Sequence, residues 1–285
     1  MNSVNPRIHR FEATLFPVNA YLVEGRSGVV AVDAAFGVSD GKALRAKAEE
    51  LRKPLQAVLI THPHPDHYGG LASFVGDLDV PIITVAGVDD VIRRDDESKE
   101  QILRPMFGDE WPKRRVFPNK IVANGEQVKF EDLSFHVIDV GPAESHHDAC
   151  WVLDANDGAS GVFVGDLVYS RMHCYLADGH HEAWLTAIDL LKQDFVPELT
   201  FYCGHGKPDS AAAMLQWQAE YIRTFAENLR SLSADDFADA TATITRKMKA
   251  YLPNDDLLFL MQVSVPPSWK RASISTRHWG RLNRK

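Results

Sequence analysis

Cysteine is scarce and long apolar runs are missing. Cys150, Cys174 and Cys203 are the three cysteines in 285 residues. Their odd number and the lack of any CxxC spacing exclude a disulfide framework, leaving three small buried residues as the reading. No apolar stretch approaches the length that spans a bilayer, and the N-terminal MNSVNPRIHRFEATLF lacks the apolar core of a secretory signal. The expectation is a cytoplasmic protein with no membrane partner. Positive charge is not in excess either: 31 Lys and Arg against 39 Asp and Glu leave a formal charge of −8. That balance would not neutralise a phosphate backbone, so no nucleic-acid partner is expected. Basic residues gather only in residues 270–285, which read as a solvated tail. A GxSxG nucleophile elbow, a P-loop and a dinucleotide fingerprint are also absent, so nothing points to a serine nucleophile or a nucleotide.

What is present is ordinary globular composition, 45% apolar and 25% charged, in a chain long enough for a sizeable core. Residues 13–35 read as strands with a turn at Gly25-Arg26-Ser27-Gly28, 39–51 as a helix closed by Pro54, and 57–60 and 81–85 as short strands. Residues 88–108 are polar and charged, a helix with an excursion, and 111–118 read as irregular surface or a lid. Strands resume over 120–122, 127–130, 134–140, 149–153 and 161–165, with turns at Gly125, Gly141 and Asn156-Asp157-Gly158. Helices over 182–192, 209–229 and 234–251 follow, interrupted by a strand at 199–203. This order fits two packed sheets with helices on their outer faces.

The strongest signal is Thr61-His-Pro-His-Pro-Asp-His-Tyr-Gly-Gly, directly after a buried strand. His62, His64, Asp66 and His67 place four metal-ligand side chains within six residues. Imidazole nitrogen and carboxylate oxygen suit zinc, manganese or ferrous iron. A turn there can aim His62 and His64 at one ion and Asp66 and His67 at a neighbour. Pro63 and Pro65 lower the entropy lost on ordering the turn, and Gly69-Gly70 permits close backbone approach. A polar surface loop would predict no particular order of His and Asp.

The pattern His62-x-His64-x-Asp66-His67-x-Gly resembles the signature of the metallo-β-lactamase superfamily. Asp166, in Val-Phe-Val-Gly-Asp, resembles that family's bridging aspartate, and His205, in Cys-Gly-His-Gly, its last histidine ligand. Asn19 and Asp33 sit in an opening that resembles its first strands. The resemblance spans roughly residues 10–230. It implies an α/β (α+β) fold, a four-layer αββα sandwich with one or two metal ions at an edge between the sheets, zinc first, iron or manganese as alternatives. Asp66 would then be both ligand and the catalytic group that handles a water proton. Residues 1–232 would form this domain, and 233–285 a helical extension packed on it or forming a homodimer contact.

One departure stands out. The family's further histidine for the first metal comes from a Gly-x-x-His-Thr-like loop, and here the loop reads Gly141-Pro-Ala-Glu-Ser-His-His-Asp. By register that position holds Glu144. Three readings are open: Glu144 is a carboxylate ligand, His146 or His147 reaches in by a shifted loop, or the site lacks this ligand and binds weakly. Asp148 would brace the loop. His173, seven residues after Asp166, is a further candidate for metal or substrate contact, against the plain alternative of a surface histidine. The stretches 93–118 and 169–175, with Arg104, Met106, Phe107, Trp111, Met172 and Tyr175, are candidates to wall the pocket. The function implied is hydrolysis of an ester, lactone, thioester or lactam bond of a small molecule. The rivals are a mononuclear iron dioxygenase on the same fold and a non-catalytic metal-binding protein.

Overall fold

The structure, a computed structural model, describes residues 6–155, 158–232 and 238–282. The Asn156-Asp157 half of the expected turn and Phe237 lie outside the described residues. The first sheet runs in chain order: β1 (Arg7–Glu12), β2 (Asn19–Glu24), β3 (Val29–Val32), β4 (Leu55–Leu59), β5 (Ile82–Val85) and β6 (Lys120–Val122). Its β1–β2–β3 pairs are antiparallel and its later pairs parallel. The crossovers are carried by α1 (Val38–Glu50), by the short α2 (Pro65–Tyr68) and α3 (Leu71–Val75), and by α4 (Ala86–Phe107). The second sheet has the order β12-β11-β10-β9-β8-β7, from β7 (Gln127–Phe130), β8 (Leu133–Gly141), β9 (Asp148–Ala155), β10 (Gly158–Gly165), β11 (Thr200–Cys203) and β12 (Asp209–Ser210). Only β10 and β11 pair in parallel there. Helices α5 (His181–Asp194), α6 (Ala211–Arg230), α7 (Ala240–Tyr251) and α8 (Leu258–Leu282) complete the chain. Two mixed sheets flanked by helices make an αββα sandwich.

Alternation along the middle strands builds the layers, because successive strand side chains point to opposite faces. Trp151 and Leu153 of β9, Phe163 of β10 and Phe135 and Val137 of β8 enter the core between the sheets, together with Val30, Val58 and Ile83 of the first sheet. Their neighbours Cys150, Val152, Val162 and Val164 point the other way, into a second core under α5 and α6. The C-terminal helices share that second core: Ile244, Met248, Met261 and Val265 pack in it with Trp184, Tyr221 and Phe225. Residues 270 and 271, expected in a solvated tail, belong to α8, and Arg271 donates to the Ala177 carbonyl at 2.6 Å. Among the described residues, no helix is long and apolar enough to cross a membrane.

The edge strands β1 and β12 were not expected from sequence. β1 pairs along its whole length with β2, from Arg7↔Glu24 to Glu12↔Asn19. Residues 111–118 are irregular, as expected, but their first residue is held in the body rather than at the surface. Trp111 is fully buried, lies against Phe36, and is covered by the Arg115 guanidinium.

Candidate metal centre

Four chain segments end at one edge of the sandwich. His62 and His64 follow β4, Glu144 lies in the β8–β9 connection, Asp166 follows β10, and His205 follows β11. Two glycines let them converge. A side chain at Gly165, whose φ is +52°, would meet Thr61 Oγ1 at 2.6 Å and His62 Nδ1 at 3.0 Å. One at Gly204 would collide with Asp166 Oδ1.

The donors fall into two groups, each with its atoms within 4.8 Å of one another: His62, His64 and Glu144, and Asp66, His67, Asp166 and His205. Asp166 lies between them. Its Oδ1 is 3.3 Å from His67 Nε2, and its Oδ2 is 3.1 Å from His205 Nε2 and 4.0 Å from His62 Nε2. Asp66 Oδ2 is 3.2 Å from His205 Nε2, and Glu144 Oε2 is 3.0 Å from His64 Nδ1 and 3.8 Å from His62 Nε2. Despite these distances, His62 Nε2, His67 Nε2, His205 Nε2, Glu144 Oε2 and Asp166 Oδ1 have no hydrogen-bond partner among the described residues, and all are buried. Buried polar atoms are nearly always satisfied, so five orphans turned towards one another fit a donor set for cations.

The opposite ring nitrogens are all held, which sets the tautomers and ring orientations. His67 Nδ1 meets Asp33 Oδ2 at 2.7 Å, and His205 Nδ1 meets the Pro17 carbonyl at 2.6 Å. His62 Nδ1 meets Thr61 Oγ1 at 3.0 Å, and that hydroxyl donates to Asp33 at 2.9 Å. His64 Nε2 lies 3.3 Å from Asp178 Oδ2. Asn19 Nδ2 donates to the carbonyls of Cys203 and Gly206 at 2.9 and 2.7 Å, fastening the His205 turn.

The sequence model of the Metallo-beta-lactamase superfamily matches residues 13–205, more than half of the chain. The chain belongs to that superfamily. An uncharacterized protein YobT of Bacillus subtilis (strain 168) is 31% identical over 120 residues, 41% of this chain and 51% of its own length. A hydroxyacylglutathione hydrolase of Albidiferax ferrireducens is 26% identical over 166 residues, 58% of this chain and 53% of its own. The chain thus spans about half the length of these relatives. Among solved structures, a metallo-beta-lactamase family protein from Thermus thermophilus superposes with a TM-score of 0.66 at 18% identity, covering 94% of each chain. A beta-lactamase domain protein from Burkholderia ambifaria gives 0.65 at 16%, covering 93% of this chain and 85% of that one. These likenesses show the fold.

In this superfamily member, Glu144 takes the inward place that the sequence left open. His147 does not reach in: its Nε2 meets Asp139 Oδ1 at 2.6 Å and its ring packs over Gly87. His146 lines the cleft before the donors, with Nδ1 on His180 Nε2 at 2.8 Å. Asp148 braces the loop by accepting from the Ser145 amide at 2.9 Å. His173 is a correction of a different kind. It is neither at the surface nor part of either donor group; its Nδ1 meets Tyr221 Oη at 2.8 Å and its Nε2 the Asn254 carbonyl at 3.2 Å. It ties the loop after Asp166 to the α7–α8 corner.

Burial raises the Glu144 carboxyl to about 8 against the pull of His64. Burial alone would lower His205, but Asp166 and Asp66 beside it carry it to about 10. Burial likewise opposes the charge on Asp166, and His205 and His67 outweigh it, holding this carboxyl well below its ordinary value. Burial depresses His62, reinforced by His67.

The cleft over the centre has a volume of about 470 Å³. Of the residues expected to wall it, Met106, Phe107 and Tyr175 do so, whereas Arg104 turns to Glu100 and the Trp111 carbonyl, and Met172 packs against the second core. Tyr169 and Lys99 also line the cleft, inside the two stretches expected to wall it but not singled out there, and Asp178 and Phe16 line it from outside those stretches. Tyr169 donates to Glu144 Oε1 at 3.0 Å, and its ring stacks on His205 at 5.0 Å. Their roles depend on loop placement, and a lone Tyr, Asp, Lys or Phe in a loop or helix carries no spacing to read.

Proposed function

We propose that this protein is a binuclear metallo-hydrolase that cleaves an ester, lactone, thioester or lactam bond of a small molecule. The observation that carries the reading is the set of five unpartnered, buried donor atoms at the end of a cleft of small-molecule size. His62, His64 and Glu144 would hold one divalent cation; Asp66, His67 and His205 would hold the other, with Asp166 shared. A pair of cations bound there supplies Lewis acidity and brings the ionisation of water near neutral pH. Zinc fits the imidazole and carboxylate donors, and the three carboxylates also admit manganese or iron.

The chain's own groups do the rest. Asp66 and His64 are the two donors still partly open to the cleft, at 14% and 16% side-chain exposure, and Asp66 Oδ2 is 3.2 Å from His205 Nε2. Asp66 is placed to orient a water and accept its proton. Tyr169 keeps its proton, because burial raises its phenol well above the ordinary value, with Asp166 and Glu144 adding. It therefore fixes Glu144 as a hydrogen-bond donor. Asp178 stays ionised at about 2 although burial opposes it, because His64 is beside it; it orients that ring. A relative named hydroxyacylglutathione hydrolase supports hydrolysis as the reaction class.

The test is metal analysis of the purified protein together with a panel of esters, lactones, thioesters and lactams. About two ions per chain and turnover abolished by chelation are expected. A protein that takes up no metal and turns over nothing would remove the proposal. One observation favours a second reading: His62, His64 and Glu144 form a two-histidine, one-carboxylate set, the donor pattern of ferrous oxygenases. Oxygen consumption with a thiol substrate would separate that reading, which leaves the Asp66 group without a task.

A further inference from the structure

We infer that the cleft between α4 and α8 receives an extended, uncharged hydrocarbon chain of the substrate, and that Phe259 and Val263 of α8 set the chain length accepted. The inference rests on the hydrolase reading above. Among the described residues, eight large apolar side chains are exposed. Four of them line this single cleft: Ile102 and Met106 at 60% and 68%, and Phe259 and Val263 at 48% and 54%. Single exposed apolar residues are normal, but a cluster in a concave site marks a binding surface.

Each pair is spaced i, i+4 and so shares one helix face. On α8 the offset positions Met261 and Val265 are buried in the second core, so Phe259 and Val263 are turned away from it. On α4 the buried positions are Val88, Val91 and Ile92 near its start, and Ile102 and Met106 extend the helix over the centre. Both faces line the same cleft as Phe16, Asp66, Asp166 and His205, and the Phe259 ring meets the Phe16 ring edge-on at 5.7 Å. The cleft's concavity suits a chain that can be threaded between two helices.

The charged lining selects against an anionic chain. Outside the metal donors it comprises Asp95 and Asp178 and one amine, Lys99. That amine is already engaged: Nζ donates to the Pro63 carbonyl at 2.6 Å and lies 5.4 Å from the Tyr68 ring centre. Burial also lowers its pKa to about 8.

The experiment is a ladder of p-nitrophenyl esters from acetyl to decanoyl on the metal-loaded full chain. We expect kcat/KM to rise by about two- to fourfold per added methylene until the cleft is filled. A Phe259→Ser, Val263→Ser double variant is expected to lower the ratio of octanoyl to acetyl kcat/KM by about tenfold or more. Leu190→Ser, on the exposed face of α5, should leave that ratio unchanged. A flat ladder with the acetyl ester still cleaved overturns the inference and leaves the hydrolase reading standing. So does a parent dimer that the double variant converts to monomer, because the apolar face would then belong to a second copy. If no ester is cleaved, calorimetry with the uncleaved neutral amides N-octylacetamide and N-ethylacetamide decides. Tighter octyl binding that the double variant loses supports the cleft assignment, and equal binding overturns it.

Discussion

Asp33 Oδ2 accepts from both His67 Nδ1, at 2.7 Å, and Thr61 Oγ1, at 2.9 Å, and so links the two donor groups from beneath. Its backbone lies in the left-handed region, at φ +61°, where its amide still donates to the Leu59 carbonyl. Partners of this kind typically contribute about 10–100-fold to metal affinity. Asp33→Ala is therefore expected to weaken metal binding by about that factor, measured by competition with a chromophoric chelator. Unchanged affinity would show that His67 is oriented by packing alone.

Glu144 is the one carboxylate in the group it forms with His62 and His64. Glu144→Gln is expected to reduce the metal content from two ions per chain to about one, read by elemental analysis after dialysis. Glu144→His should restore the second ion and shift uptake towards zinc when zinc and manganese are offered together, since imidazole suits zinc and carboxylate suits manganese. Equal zinc-to-manganese ratios in the parent and the histidine variant would contradict this.

Asp66→Asn keeps the shape of the side chain but removes its capacity to accept a proton. Turnover is expected to fall by about 10²–10⁴-fold, with the far-ultraviolet circular dichroism unchanged. Retained turnover would assign the proton to another group.

Without cations, the pH dependence of stability has a defined sign. His205 is raised from 6.5 to about 10, burial opposing and Asp166 and Asp66 prevailing. Its contribution is complete below pH 6.5 and is lost as pH rises towards 10. His64 and His67 are raised too: burial opposes, and Glu144 and Asp166 respectively prevail, so their contributions are lost in the same direction. Glu144, raised from 4.5 to about 8 mainly by burial, loses its contribution between those values. Scanning calorimetry of chelator-treated protein should therefore show the melting temperature falling between pH 6.5 and 10, and metal-loaded protein a smaller fall. A metal-free melting temperature that rises over this window would contradict the assignment.

His173 predicts a different phenotype from the metal ligands. His173→Ala leaves the Asn254 carbonyl without its side-chain partner and Tyr221 Oη with only the Cys174 amide at 3.4 Å, at a cost of about 1–3 kcal/mol in unfolding free energy. Metal content should stay at the parent value. Loss of metal in a folded His173 variant would overturn the structural role.

The chain alone determined the outline of the fold and the heart of the donor set. His62, His64, Asp66 and His67 are legible because they are close in sequence, directly after a buried strand. Asp166 and His205 are legible because each ends an apolar strand, in the family's order. The layers are legible from the order of strands and helices along the chain. Tertiary structure decided what depends on distant partners. Glu144, rather than His147, faces inward because Asp148 holds the Ser145 amide and Asp139 draws His147 to the other side of the loop. Strand β1 exists because β2 pairs with it, and His173 is buried because Tyr221, 48 residues on, meets its ring. The apolar wall of α8 has the same origin. Phe259 and Met261 are both large and apolar, and only the placement of the helix assigns one to the cleft and the other to the core.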